Sequence, residues 1–530
     1  MSGLLTGTLP YLRSTLRQNR LALMAWSVVG VALSASAVAG FDVLVSGPED
    51  VASIEGVLAA NPAIGLILGP VGDLSTADGL SAWRNLALGG LLVGIGVILL
   101  VTKASRGQED SGQAELFASG VLGRGARLTT ACLLGGIGSV LVGLASGLAG
   151  VATGGSWKTQ MLIGATFTVT GWMATGLAAV SAQLGSDRRS ASTIAVATLT
   201  ALYALRGFSY SLVLPEWTLW ANPLGWMSEV NAGTSEERWW PLLLGIALTL
   251  FLLIVASLLQ SQRDFGVGIL PQRSGRARGR IRTVWGLAAR LNRSTVIAWS
   301  AAFTVIGVVF GYFVTEVQDS FSDNPMIQAL LGSGTVSADD LSGGVITMVL
   351  TMVGIISTVV GVQIILNLRS EELERRVDPV LGAAVSRPRL FGASVLLALS
   401  SSALGMLLSA GVVSAFVQGS DIGHSAGEVL IQMLAVIPAS WIVLAVATAL
   451  VGVLPRASVL AWVVIVVSVF LTLFGALFDL PEAMVALNPF HHVPSIFMAD
   501  ASWTGIAVLI GISLILIIVG FVGYRRRDLA

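Results

Sequence analysis

Apolar runs of about twenty residues, parted by short polar breaks that hold most of the charge, dominate this chain. Stretches such as 91–101, 345–362 and 506–522 belong to twelve expected helices, near 21–43, 84–104, 128–151, 158–183, 193–214, 240–261, 294–316, 343–367, 391–418, 426–453, 458–478 and 504–524. About 20 apolar helical residues cross a bilayer. The pattern therefore predicts an all-α polytopic membrane protein with twelve transmembrane helices.

Composition supports this, since only 11% of the 530 residues are charged against roughly 25% in soluble domains. Thirty basic and thirty acidic residues balance, so no net charge draws the chain to nucleic acid. The single cysteine, Cys132, excludes an intrachain disulfide and a thiol-based metal site, and no metal ligand set is expected.

Charge distribution sets the orientation. With both termini cytosolic, 26 of the 30 basic residues fall inside, from Arg13, Arg17 and Arg20 at one end to Arg525, Arg526 and Arg527 at the other. The positive-inside bias favours that arrangement. Acids such as Glu49, Asp50, Asp73, Glu236, Glu237, Asp339 and Asp340 then lie outside or near outer span ends.

The sequence also repeats. Asn19-Arg20 followed by Ala25-Trp26-Ser27 recurs as Asn292-Arg293 followed by Ala298-Trp299-Ser300, 273 residues later. That match makes the first helix a retained span, although Ala37-Val38-Ala39 resembles a signal-peptidase site. Ala191-Ser192, Leu214-Pro215-Glu216 and Asn222-Pro223 return as Ala457-Ser458, Leu480-Pro481-Glu482 and Asn488-Pro489 at an offset of 266. Arg106, Glu109 and Arg124 align with Arg369, Glu372 and Arg387, and Arg263-Asp264 with Arg527-Asp528. An even number of spans per copy makes two parallel six-helix repeats. The expected organisation is a first half over 1–265, a cytosolic Arg/Gly-rich linker over 266–290 and a second half over 291–530.

Candidate chemistry is sparse. A phosphate-binding loop needs Gly-Lys, but Lys103 follows Thr102 and Lys158 follows Trp157. Three histidines form no hydrolytic or zinc motif, so the chain is expected to be a transporter permease and not an enzyme. The segments 103–127 and 369–389 alternate acids, bases and aliphatics like amphipathic cytosolic helices. Glu371, Glu372, Glu374 and Asp378 beside Arg375 and Arg376 supply an electrostatically specific docking surface, with an ordinary solvated loop as the alternative. Leu12, Leu16, Arg13 and Arg17 before the first span, and Trp285, Leu287, Leu291 and Arg290 before the seventh, fit helices lying in the inner interface.

Outside, Trp217, Trp220, Asn222-Pro223 and Trp226 in one half, and Asn488-Pro489, Phe490 and Phe497 in the other, suit short re-entrant hairpins or an interfacial aromatic belt. Arg206 falls about thirteen residues into the fifth span, where a charge is expensive. It either faces a substrate cavity or pairs with an outer acid such as Glu216. Trp172, Met173, Tyr203 and Tyr210 are further candidates for lining that cavity, or for packing helices.

Six-span halves, a charged helix between spans two and three, and an Asn-Pro hairpin between spans five and six together resemble the permease of a type-2 ATP-binding-cassette (ABC) exporter with two fused halves. The likeness is to actinobacterial tetronasin or multidrug antibiotic exporter permeases. It implies export of hydrophobic or amphipathic compounds across the bacterial plasma membrane, driven by two copies of a separate ABC ATPase that carry ATP and Mg. It also implies coupling helices around Glu109–Glu115 and Glu371–Asp378, with Arg106, Asp110 and Arg369 beside them. The first copy has Gln113-Ala114-Glu115 where the second has Arg376-Val377-Asp378, so unequal docking sites are expected. The rival is an ion- or proton-coupled carrier, which ordinarily needs mid-membrane carboxylates; Asp42, Glu316 and Glu428 instead sit near outer span ends.

The orientation is testable by cysteine labelling. Ser111→Cys, Ser274→Cys and Ser386→Cys react only from the cytosol, and Ser337→Cys only from outside. Outside labelling of Ser274→Cys reverses the topology.

Overall fold

The computed structural model describes residues 5–41, 72–110, 122–211, 214–263, 281–323, 338–383, 385–420, 422–474, 481–497 and 502–527, with isolated positions between them. The chain divides into two compact units, Met1–Gly275 and Arg276–Ala530. In the first unit the long helices are α1 (Thr8–Ala39), α2 (Ala77–Asp110), α3 (Ala126–Ala152), α4 (Trp157–Leu184), α5 (Arg188–Ser211) and α6 (Pro241–Gln262). In the second they are α7 (Arg293–Asp323), α8 (Ala338–Leu373), α9 (Arg387–Gln418), α10 (Ala426–Val453), α11 (Leu460–Phe474) and α12 (Thr504–Arg526). Among the described residues eleven helices are long and apolar enough to cross a membrane, and α11 is a shorter apolar helix at the remaining expected position. The protein is an all-α polytopic membrane protein.

Helix starts follow local chemistry. Ser156 accepts from the Thr159 amide at the start of α4, and Ser425 with Glu428 forms a reciprocal capping box on α10, each satisfying amides that a helix leaves open. Two boundaries differ from the sequence expectation. The segment expected in the interface before the first span is continuous with α1, whereas its counterpart before the seventh is a separate short helix, Val284–Leu291, capped by Asn292, although Asn19 and Asn292 make the same bond from the side-chain amide to the carbonyl four residues back. At the second charged segment, α8 runs on to Leu373, so Arg369–Glu372 form the last turn of a span helix.

Each unit buries its own apolar core, centred on α2, α3 and α4 in the first and on α8, α9 and α10 in the second. Outward faces remain apolar, as at Leu243, Phe251 and Ile254 on α6. Lipid does not drive helices together, so close backbone approach must hold them. A Cβ on Gly143 of α3 would strike the Gly164 carbonyl of α4, and one on Gly452 of α10 would strike the Gly520 carbonyl of α12. Gly143→Leu and Gly452→Leu are each expected to destabilise the chain by about 1–3 kcal/mol, the usual cost of overpacking. Melting in detergent measures it, with Gly411→Leu as a control, since a Cβ on Gly411 meets nothing within 4 Å.

Candidate functional site

The charged segment after the second span begins with a buried ion cluster. Ser105 interrupts α2, and the next turn, Arg106–Asp110, folds inward. Arg106 is fully buried and donates to Glu109 at 2.7 Å. The Glu109 carboxylate, 8% exposed, is shared with Arg263 just past α6 at 2.8 Å and with Arg127 at the start of α3 at 3.6 Å. Arg263 also donates to the Gln183 side chain of α4. Asp110 accepts from the Arg188 amide at 2.7 Å, capping α5. Glu115 lies outside the described residues.

Unit 2 builds the same node. Arg369 donates to Glu372 at 3.0 Å, and Arg527 past α12 reaches that carboxylate at 2.7 and 2.9 Å. The Glu372 side chain is 1% exposed. Arg387 at the start of α9 donates to the Arg527 carbonyl at 2.9 Å. In both units the carboxylate ties the end of the second long helix to the end of the sixth, and the start of the third closes the cluster. Of the residues expected on a docking surface, Arg106, Glu109, Arg369 and Glu372 are therefore turned inward.

The exposed part of the second segment follows at once. Arg375 adopts a positive φ of 56°, breaking the helix, and the short helix Asp378–Gly382 starts after it. Arg376, well exposed, pairs with Glu371 at 3.2 Å and with Glu374. Glu371, Glu374, Arg375, Arg376 and Asp378 thus form one charged turn set on a buried base.

The five expected cavity residues fall in different places. Arg206, 4% exposed, donates to the carbonyls of Leu86 at 3.1 Å and Ala87 at 3.4 Å. These lie in a π-helical turn of α2, Asn85–Gly89, whose wider hydrogen-bond spacing leaves carbonyls to be satisfied from outside. Tyr203 lies under the Arg206 guanidinium at 5.0 Å, and Tyr210 shares Ser228 with Arg206. Met173 packs toward Gly245 of α6. Trp172 donates to the Gly136 carbonyl at 3.2 Å and lines a groove of about 1720 Å³ between α3, α4 and α6.

The connections that follow the fifth and eleventh helices are tied back to them by their asparagines. Asn222 accepts from the Leu224 amide and donates to the Leu202 carbonyl at 2.7 Å; Asn488 accepts from the Phe490 amide and donates to Thr472 at 2.7 Å. Pro223 and Pro489 open the short turns that follow. Sequence reasoning counted Glu237 only among the acids at span ends and missed its contacts: it holds Lys158 at 3.0 Å and Thr159 at 2.5 Å at the start of α4. No periodicity or repeat marks it, because its partner lies 78 residues away.

Removing a buried charge partner strands the other and typically costs about 3–5 kcal/mol. Glu109→Gln and Glu372→Gln should therefore sharply lower the melting temperature and the yield of folded chain. Glu374→Gln, on the exposed turn, should melt like the wild type.

A family model described as the C-terminal domain of the multidrug efflux system permease Rv1217c matches residues 281–525. Over 535 aligned residues the chain is 32% identical to the multidrug efflux system permease protein Rv1217c of Mycobacterium tuberculosis, covering 99% of this chain and 95% of that protein. With such identity along nearly the full length of both, the chain belongs to the family of multidrug efflux system permeases.

Proposed function

We propose that this chain is the membrane permease of an ATP-driven exporter of hydrophobic or amphipathic compounds, arranged as twelve spans in two parallel six-helix halves. Two copies of a separate ABC ATPase carry the ATP and Mg and dock from the cytosol, where both termini lie, at the plasma membrane. The relative's description as an efflux permease supports the direction of transport. The absence of any Gly-Lys pair supports placing hydrolysis on another chain.

The observation that carries the coupling reading is the exposed turn Glu374–Arg376, paired with part-buried Glu371 and mounted on the buried Arg369–Glu372–Arg527 node. A docking element must be exposed to its partner yet rigid toward its own helices. Here the partner meets Glu371, Glu374 and Arg376, and the node carries displacement into α8, α9 and α12 together. The Arg106–Glu109–Arg263 node gives the first half the same base.

The test spares the node. Glu371→Lys with Glu374→Lys should leave expression and melting unchanged while reducing co-purification of the ATPase and abolishing export; charge pairs at such interfaces are worth about 2–5 kcal/mol when desolvated. Full association and full export in the double variant would refute the docking assignment. Export that survives loss of the ATPase and collapses with an uncoupler would favour the ion-coupled carrier.

A further inference from the structure

The groove between α3, α4 and α6 has apolar walls and one charged end. Leu133, Leu141 and Leu250 line it and stay largely exposed, so it opens sideways to the hydrocarbon. Arg124, Arg127 and Arg263 stand at the end nearest the ion node, with Ser257, Gln260 and Ser261 close by. Glu109 is already shared by three arginines, and Asp110 is engaged by the Arg188 amide. Arg124 is exposed and has no carboxylate partner among the described residues. Among the described residues, that end of the groove therefore carries surplus positive charge at the depth where a span helix begins.

The second unit fills the matching space. Phe391 of α9 stacks on Tyr524 of α12 with ring centroids 4.3 Å apart and meets Phe521 edge-on at 5.0 Å; Phe391 and Tyr524 are fully buried. Stepping back 264 residues from Phe521 and Tyr524 gives Ser257 and Gln260, and 263 from Phe391 gives Leu128, all three on the groove wall. Where one unit closes the gap with three aromatic rings, the other places a leucine and two polar side chains and leaves it open.

We propose that this groove binds an anionic phospholipid of the adjoining leaflet, with its acyl chains along α3 and α6 and its phosphate at Arg124, Arg127 and Arg263. Basic pockets between spans at a membrane surface recognise lipid headgroups in this way. The volume of about 1720 Å³ exceeds the roughly 300–1,000 Å³ of ordinary drug-sized pockets and suits a two-chain amphiphile. The site occurs in the first unit alone among the described residues, and it braces α6 against α3 where aromatic packing does so in the second.

Native mass spectrometry of the full chain in detergent, titrated separately with phosphatidylglycerol and phosphatidylcholine, tests this. The wild type should give a saturable phosphatidylglycerol adduct and a weaker phosphatidylcholine one. Arg124→Gln should weaken phosphatidylglycerol binding about fivefold, the effect of one basic residue near an anionic surface, and leave phosphatidylcholine unchanged. Ser257→Phe, which copies the second unit, should remove the adduct; Leu250→Trp fills the groove from α6 at another level should the first variant fail to fold. Equal binding of the two lipids, an unchanged Arg124→Gln titration, or a persisting adduct in the filled variants would overturn the proposal. So would an uncharged hydrophobic dye that binds as well as phosphatidylglycerol regardless of Arg124, which marks a cargo path. The readout is bound lipid, so it stands apart from whether export is driven by ATP.

Discussion

A carboxylate buried among arginines organises each unit. Glu109 and Glu372 sit where three chain segments converge: the end of the second long helix, the start of the third and the end of the sixth. Burying these charges is costly on its own, so the arrangement persists only while every partner stays in place. In the second unit it anchors the charged turn at one end without adding apolar contact, which lipid would not reward. The exposed turn around Arg375 owes its firm footing to this.

The bilayer imposes a second constraint, that no backbone group inside it stays unpaired. Irregular backbone therefore appears where a side chain has been set against it. Arg206 covers the carbonyls of the π turn in α2, which gives a charged side chain within the fifth span polar partners. Asn222 and Asn488 do the same for the turns that follow the fifth and eleventh helices, each bonding to its own turn and to the neighbouring helix.

The two units reuse one plan and differ in filling. Lys103 donates to Asn19 at 3.1 Å in the first, and Asn367 donates to Asn292 at 3.1 Å in the second, so even a polar contact near the ion node recurs with changed chemistry. The aromatic stack of Phe391, Phe521 and Tyr524 against the open groove of Leu128, Ser257 and Gln260 is the larger departure.

Hydrophobic runs, counted against the thickness of a bilayer, determined the helical membrane fold from sequence alone, because in lipid the helix is forced by backbone hydrogen bonding whatever the neighbours are. Sequence offsets of 263 and 264 also align Arg106, Glu109 and Arg263 with Arg369, Glu372 and Arg527. Tertiary structure alone decided which way these charges face. Glu371 and Glu372 are adjacent in sequence and equally acidic, yet a helix turns successive residues about 100° apart; one meets solvent and Arg376, the other meets Arg369 and Arg527. Separation in sequence hid the rest. Arg206 and Leu86 are 120 residues apart, and the groove draws its walls from three helices, so neither could be read from a local pattern.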